Sequence, residues 1–428
     1  MEFSVADWLR EDQAAGPNAH QVTMSMPQNV FCWSRQSEAE GGEYLYGEAG
    51  ALRTLRADVD VGLRGADLNA GYPAAWVRKA DPDDAVPVEV ILYGAAYGGV
   101  DLSRTSVVTF RNNLNKLLLT PLQPRDGWVI DGAWVGSALY LDIVKRPPGQ
   151  NAAAPGTDQD RFTYYGYKFE ALATEPPAGQ EEQAAHVVDC TGEFAIMVQM
   201  RLGRHLVTMA AETDAWQPPP PDLAMPEDGS ADYVGYVELK TFVIPVGDRA
   251  HERLLRDKYP RWWLQSYLAG VPTLVLGGRD RAGVLREVTR LPVTRLPAIA
   301  AERGVPFDAA RLLRFGDAAL DRMCEAAASR PGEHWRFEFD PARGVISGAV
   351  VPDGKLPERV IAALAAQGGG GEGEGGGGEG GAPEAEAEAE AEGGAGEEAG
   401  HEGDGEGEGD GHPHEGGGGG EYDEEEGY

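Results

Sequence analysis

The sequence predicts a mixed α/β (α+β) domain followed by a polar tail. Strand-like and helical patterns alternate from Val30 to about Val351, and turn-forming residues separate them. No repeat with a period of roughly 20–50 residues is visible, which argues against a solenoid. We expect residues 1–25 to be a loosely ordered lead-in, residues 26–360 to form one domain, and residues 367–428 to be disordered.

The individual elements follow from composition and periodicity. Alternating or β-branched stretches predict strands at Val88–Tyr93, Ser106–Phe110, Trp128–Ile130, Ala138–Ile143, Phe194–Met200, His205–Met209, Val234–Thr241 and Thr273–Leu276. Apolar residues at helical spacing predict helices at Arg111–Leu119, His251–Ala269 and Phe307–Ser329. A strand, turn and strand are expected at Trp335–Phe339, 340–344 and Val345–Val350. Pro- and Gly-rich stretches near 147–160 and 217–232 predict surface insertions.

The tail explains most of the net charge. Residues 367–428 contain 21 Asp or Glu, 26 Gly and no Lys or Arg. Of the formal net charge of −33, the remaining residues carry about −12, from 49 acidic and 37 basic side chains. A body this mildly acidic does not exclude nucleic acid as a partner, because a cleft can be locally positive.

Several protein classes are excluded by simple features. The sequence has no run of 18 apolar residues, so no transmembrane helix is expected. The N-terminal residues lack the apolar segment of a secretory signal. Cys32, Cys190 and Cys324 are widely separated, which argues against a disulfide framework or a zinc site. We therefore expect a soluble intracellular protein.

The segment Tyr236–Phe242 carries the sharpest chemical signal. Its alternation predicts a strand in which Glu238 and Lys240 share one face and Val237 and Leu239 the other. The strand that begins at His205 ends in two further acids, Glu212 and Asp214. Pairing the two strands as a hairpin would bring three carboxylates and one lysine together.

Such a cluster has two interpretations. Carboxylate oxygens suit hard cations such as Mg²⁺ and Mn²⁺, and one or two such ions can drive phosphodiester hydrolysis while a lysine helps to position water or to stabilise charge. The alternative is a solvated Glu–Lys pair on an exposed strand. The apolar flanks of the strand favour a central position, where charges are costly unless they are paired or bound to metal.

Two other segments are ambiguous by themselves. The aromatic run at 164–169, which ends in Glu170, is typical of core and rim packing. The helical segment Arg261–Leu268 places Gln265 among apolar residues, where it either bonds a neighbouring backbone group or reaches into a cleft.

Taken in order, these segments resemble the DXO family of decapping and RNA 5′-end-processing exoribonucleases, which is related to the PD-(D/E)XK nucleases. The resemblance covers about Phe31 to Val351. Its motifs are Phe110-Arg111-Asn-Asn-Leu-Asn-Lys-Leu-Leu, Gly166-Tyr-Lys-Phe-Glu170, Ala211-Glu212-Thr-Asp214, Val237-Glu238-Leu-Lys240-Thr and Arg261-Trp-Trp-Leu-Gln265-Ser-Tyr-Leu. Each is weak alone, whereas five in the family's order and approximate spacing are specific.

The resemblance implies two mostly antiparallel sheets flanked by helices, with an active-site cleft between them. It also implies a hydrolase that uses Mg²⁺ or Mn²⁺, as two ions, on RNA 5′ ends. Expected reactions are pyrophosphohydrolysis of 5′-triphosphate RNA, removal of incomplete or non-canonical caps including NAD (deNADding), and 5′-to-3′ exonuclease trimming.

Residue roles carry over from the same motifs. Metal ligands would be Glu170, Glu212, Asp214, Glu238 and the backbone carbonyl of Leu239. Lys240 would act on the scissile phosphate and the nucleophile. Arg111 and Gln265 would hold the RNA backbone and the 5′ phosphate.

Departures from the family pattern are mild. Ala211 and Phe110 replace a more usual Gly and Trp, and the 217–232 connection is long.

Two other functions stay open, namely a non-catalytic stimulator of a larger 5′-to-3′ exoribonuclease and a PD-(D/E)XK DNA nuclease. We expect a monomer that binds single-stranded RNA 5′ ends, without membrane contact, in the nucleus rather than the cytoplasm. The acidic tail either competes with RNA for the cleft or only improves solubility.

Overall fold

Hydrogen-bonded strands form the scaffold that positions the motifs. The computed structural model describes residues 1–16, 20–79, 87–144, 156–175, 187–220 and 234–368. Its strands are β1 Glu2–Ser4, β2 Gln28–Arg35, β3 Tyr44–Tyr46, β4 Trp76–Val77, β5 Val107–Phe110, β6 Trp128–Val135, β7 Ala138–Ile143, β8 Val188–Asp189, β9 Glu193–Leu202, β10 His205–Glu212, β11 Ala215–Trp216, β12 Tyr236–Val243, β13 Thr273–Arg279, β14 Leu285–Pro292, β15 His334–Asp340 and β16 Val345–Val350.

Helices pack around these strands. They are α1 Val5–Ala15, α2 Val59–Gly62, α3 Glu89–Tyr97, α4 Arg111–Leu119, α5 Asp158–Ala173, α6 Asp248–Asp257, α7 Tyr259–Ala269, α8 Leu296–Glu302, α9 Ala309–Ala328 and α10 Leu356–Gly368, with short 3₁₀ turns at Glu38–Glu40 and Val293–Arg295. Within the described part of the chain, no helix is long and apolar enough to span a bilayer.

The strands form two principal sheets. The larger has the order β1-β16-β15-β6-β7-β5-β10-β9-β2-β3, the smaller has the order β11-β12-β13-β14, and β4 pairs with β8. Most neighbours are antiparallel; β5 runs parallel to β7 and β10, and β12 runs parallel to β13. The predicted class, two mostly antiparallel sheets flanked by helices, is confirmed.

Three apolar clusters hold the layers together. One packs α4, α7 and α9 between one face of the large sheet and β13. A second lies on the opposite face of the large sheet, under α3 and α10. A third joins α5 to the inner face of β12. Because β12 is covered on both sides, any charge on it is taken out of water.

Two predictions differ from the structure. One concerns the type of an element, and the other concerns how well ordered the N-terminal residues are. The stretch Val88–Tyr93 is the start of helix α3 and not a strand, because a short apolar run cannot be told from a buried helix by periodicity alone. The lead-in is ordered at residues 2–15: β1 pairs with β16, and the Ser4 hydroxyl caps α1 by accepting the Asp7 N–H.

Other boundaries shift for local reasons. The predicted helix His251–Ala269 is two helices, since Pro260 lies in the first turn of α7 and cannot continue α6. The predicted insertions near 147–160 and 217–232 fall largely outside the described residues, although Asp158–Asp160 already belongs to α5. The tail from residue 369 onward also lies outside them.

Candidate active site

The chain crosses from the large sheet to the small sheet between Glu212 and Asp214. Strand β10 ends at Glu212 in the large sheet, between β5 and β9. Three residues later β11 begins and pairs antiparallel with β12, with Ala215 opposite Val237. The predicted hairpin between the His205 strand and the Glu238 strand is therefore wrong, because β10 finds its partners in the other sheet. The crossing nevertheless brings both acids beside β12.

Glu238 is the buried centre of the site. It has no exposed surface, and three side chains bind it. Lys240 Nζ lies 2.7 Å from Oε1, Gln265 Nε2 donates to Oε1 at 2.5 Å, and Arg111 Nη1 lies 3.0 Å from Oε2. Arg111 begins α4 and Gln265 lies on α7, so two helices and one strand converge on a single carboxylate.

Backbone geometry places Asp214 against the same strand. Its Oδ2 accepts the Leu239 N–H at 2.6 Å. In a strand, the N–H and C=O of one residue point to the same side, so the Leu239 carbonyl also points toward Asp214. Val237 and Leu239 pack into the cluster with α5, as the predicted alternation requires. Glu238 and Lys240 therefore occupy the opposite face.

Glu170 is positioned by close packing of α5 on the small sheet. Its neighbour Phe169 is fully buried and lies over Gly277 of β13, where a Cβ would come within 2.7 Å of the ring. The absence of a side chain at Gly277 thus sets the depth of α5. The aromatic residues Tyr164 and Tyr165 are buried in the same cluster, which confirms the core interpretation for them.

A cavity of about 120 Å³ runs along the acidic residues. Glu170, Glu212 and Asp214 line it, together with residues of β8 and β9. Sequence reasoning missed Glu193 and Lys79, which lie at this edge and form an ion pair of 2.9 Å. Neither belongs to a recognisable motif; Glu193 gives no signal beyond its position one residue before a predicted strand.

The carboxylates repel one another where they are not paired. Burial, followed by the charge of Asp214, raises the pKa of Glu170 well above its usual value. Burial and the charge of Glu238 raise the pKa of Asp214 to about 7. Burial and Glu193 raise the pKa of Glu212. Burial also acts to raise the pKa of Glu238, but Lys240 and Arg111 outweigh it and lower the value.

These residues fit a hard divalent cation by their chemistry. Carboxylate oxygens from α5, β10, the crossing segment and β12, with one backbone carbonyl, form the donor set that Mg²⁺ or Mn²⁺ prefers. Burial first, and then the charges of neighbouring acids, raise the pKa of Glu170, Glu212 and Asp214, and a cation would offset both effects. Among the described residues, no three of these carboxylates have oxygens that all lie within 4.8 Å of one another.

Comparison with known proteins identifies the family. The model of the RAI1-like PD-(D/E)XK nuclease family matches residues 25–358. The chain belongs to this family. All eight predicted site residues lie within the matched range, and the fold described above is the family's fold.

Relatives and solved structures agree with this assignment. The decapping and exoribonuclease protein of Homo sapiens is 28% identical over 279 residues, which cover 63% of this chain and 67% of that protein. Decapping nuclease din1 of Schizosaccharomyces pombe is 26% identical, with 62% and 80% covered. The fold is that of Candida albicans Rai1, solved with pU5 and Mn²⁺, with a TM-score of 0.65 at 20% identity, covering 80% of this chain and 94% of that one.

The structure places the predicted site residues in two groups. Arg111, Gln265 and Lys240 all contact Glu238, so the residues predicted to hold substrate and the central acid form one network. Glu170, Glu212, Asp214 and the Leu239 backbone form the second group around the cavity. Their roles as ligands, catalytic groups and substrate contacts stay predictions.

Proposed function

We propose that this chain is a divalent-metal-dependent hydrolase of RNA 5′ ends, a decapping nuclease and 5′-to-3′ exoribonuclease. The observation that carries the proposal is the buried Glu238, held between two cations beside the carboxylates of Glu170, Glu212 and Asp214, in a chain of the RAI1-like nuclease family. Related proteins bear the name of decapping nuclease or of decapping and exoribonuclease protein. One of the solved relatives holds an NAD-like ligand, (3′-NADP)⁺, with calcium.

Each group has a task that follows from its position. Glu170, Glu212, Asp214, Glu238 and the Leu239 carbonyl would hold Mg²⁺ or Mn²⁺, as two ions. Such ions supply a nucleophilic water and stabilise the leaving oxygen. Lys240 keeps its proton, because the neighbouring acids raise its pKa although burial opposes this. Its positive charge would stabilise the scissile phosphate.

We expect Arg111 and Gln265 to contact both Glu238 and the 5′ phosphate. Both now donate to Glu238. Each side chain carries N–H donors beyond the one that Glu238 accepts, and these would bind the 5′ phosphate, for which a guanidinium is well suited. The basic side chains lie inside a narrow cleft, which a single-stranded RNA end can enter more easily than a duplex. We therefore expect the chain to prefer single-stranded ends.

An assay on RNAs that differ only at the 5′ end tests the proposal. Triphosphate, monophosphate, unmethylated cap, methylated cap and NAD ends are compared with Mg²⁺ or Mn²⁺, beside a DNA of matched sequence. Glu238→Gln should lose at least about 100-fold in rate, whereas Glu338→Gln, the same change on an exposed strand face, should retain it.

Three results would overturn the proposal or part of it. Equal rates in the wild type and Glu238→Gln would place catalysis elsewhere. Faster cleavage of DNA would favour the DNA-nuclease alternative. Folded, metal-binding protein that is inactive on every RNA would favour the role as a stimulator of a larger exoribonuclease. That partner, the monomeric state and the nuclear location stay predictions.

A further inference from the structure

A second group of metal-ligating side chains lies far from the active site. His205 Nε2 and one carboxylate oxygen each of Asp317 and Asp321 lie within 4.8 Å of one another. His205 begins β10, the strand that ends at Glu212. The two residues are seven positions apart, or about 23 Å along a strand, so this group is independent of the acidic cluster.

The fold builds this group from rigid elements. Residues 317 and 321 are one turn apart on α9, so both carboxylates face the same side. The turn between β9 and β10 brings His205 against them. Gly203 in that turn has a φ of +55°, and a Cβ there would overlap the Asp317 carboxylate. Asp317 can therefore approach the turn only because residue 203 is glycine.

His205 and Arg204 bind the Asp321 carboxylate, whereas the Asp317 carboxylate has fewer and longer contacts. His205 Nε2 lies 2.9 Å from Asp321 Oδ1, and Arg204 Nη2 lies 2.9 Å from Asp321 Oδ2. Asp317 is only 7% exposed. Its Oδ1 accepts the Arg204 N–H at 3.3 Å and lies 3.9 Å from His205 Nε2. Among the described residues, Asp317 Oδ2 has no hydrogen-bond partner, and this atom is not closed off from solvent.

A comparable pair elsewhere shows the difference. His334 Nε2 lies 3.1 Å from Asp131, and Arg336 binds the same carboxylate at 2.8 Å. That pair has one acid with two nitrogen partners, His334 and Arg336. The His205 group has two acids, and a buried carboxylate with one long hydrogen bond is costly unless a cation lies nearby.

One edge of the group, at Asp321, is accessible from a cleft. Asp321 and Arg204 line a cleft of about 870 Å³ between β1, α1 and α9. The Arg204 side chain is 71% exposed, so it can turn away from Asp321 as a ligand enters.

We propose that His205, Asp317 and Asp321 bind one Zn²⁺ ion that fixes the β9–β10 turn to α9. One imidazole nitrogen and two carboxylate oxygens are a zinc donor set that leaves a fourth position for water. Mg²⁺ and Ca²⁺ prefer all-oxygen sites, so the imidazole favours zinc over either of these ions here. The site connects two elements of the fold and lies outside the hydrolytic chemistry.

Zinc retention by the full chain tests this site. Chelator-treated protein is dialysed against Zn²⁺ in millimolar Mg²⁺, which occupies oxygen-only sites and the acidic tail, and bound zinc is then counted by mass spectrometry. The wild type should retain one ion per chain more than His205→Gln and Asp317→Asn. His334→Gln, the matched control, should retain the wild-type number.

Two further readouts keep the test independent of folding defects. Zinc X-ray absorption should show imidazole scattering in the wild type that His205→Gln lacks. Zn²⁺ at 100 times its Kd should raise the folded-to-unfolded ratio of the wild type about 100-fold, with no such effect in Asp317→Asn or in the more exposed Asp321→Asn. Equal zinc in wild type and variants, or an equal loss in His334→Gln, would overturn the proposal.

Discussion

Replacing Asp214 by Asn should change how stability depends on pH. In metal-free protein, burial and Glu238 raise the pKa of Asp214 from 3.8 to about 7. A carboxyl whose folded-state pKa is raised favours the folded state when protonated. Its contribution to the free energy of unfolding is complete below about pH 3.8 and is lost as the pH rises through about 7. Asn cannot ionise, but its side-chain oxygen can still accept the Leu239 N–H.

The magnitude follows from the linkage relation. At about 1.4 kcal/mol for each pH unit between the two pKa values, the full loss is about 4 kcal/mol. Between pH 5 and 8.5 the loss is about 3 kcal/mol. Relative to wild type, Asp214→Asn should therefore gain about 3 kcal/mol in unfolding free energy over this range. Every other titrating group contributes to both proteins, so most of its effect cancels in the difference.

Urea denaturation in a chelating buffer at pH 5, 6, 7 and 8.5 measures this difference. Saturating Mn²⁺ should then stabilise the wild type at pH 8.5 more than the variant, because the ion relieves the repulsion that the proton relieved at pH 5. A difference that stays constant with pH, or one that falls, would refute the electrostatic account of the site.

Three further outcomes follow from the site and the chain. Lys240→Met should lower kcat at least about 100-fold, since it removes the fixed charge 2.7 Å from Glu238; a change confined to KM would contradict this role. Gly277→Ala should cost about 1–3 kcal/mol of stability, because the added methyl overlaps the Phe169 ring, and should weaken Mn²⁺ binding through the adjoining Glu170. A chain ending at Ala366 should keep its rate and salt dependence on triphosphate RNA if the tail only improves solubility; a higher rate at low salt would instead indicate competition with RNA.

Local patterns predicted the parts of this protein whose geometry is local. The alternation around Glu238 gave the correct faces of β12, with Leu239 toward α5. The helices at α4, α7 and α9 follow from apolar spacing, and the order of five weak motifs indicated the family. Such features depend on strand and helix periods, which short stretches of sequence contain.

The arrangement of these parts depended on contacts between distant residues. No local rule could show that β10 pairs with β5 and β9 and that Asp214 reaches β12 through β11. None could show that Arg111 and Gln265 meet on Glu238, or that Asp317 approaches His205 across 112 positions of the chain. Strand partners and buried polar contacts are selected by burial and hydrogen bonding over the whole fold. The sequence by itself therefore determined which chemical groups the protein has, and the tertiary structure decided which of them act together.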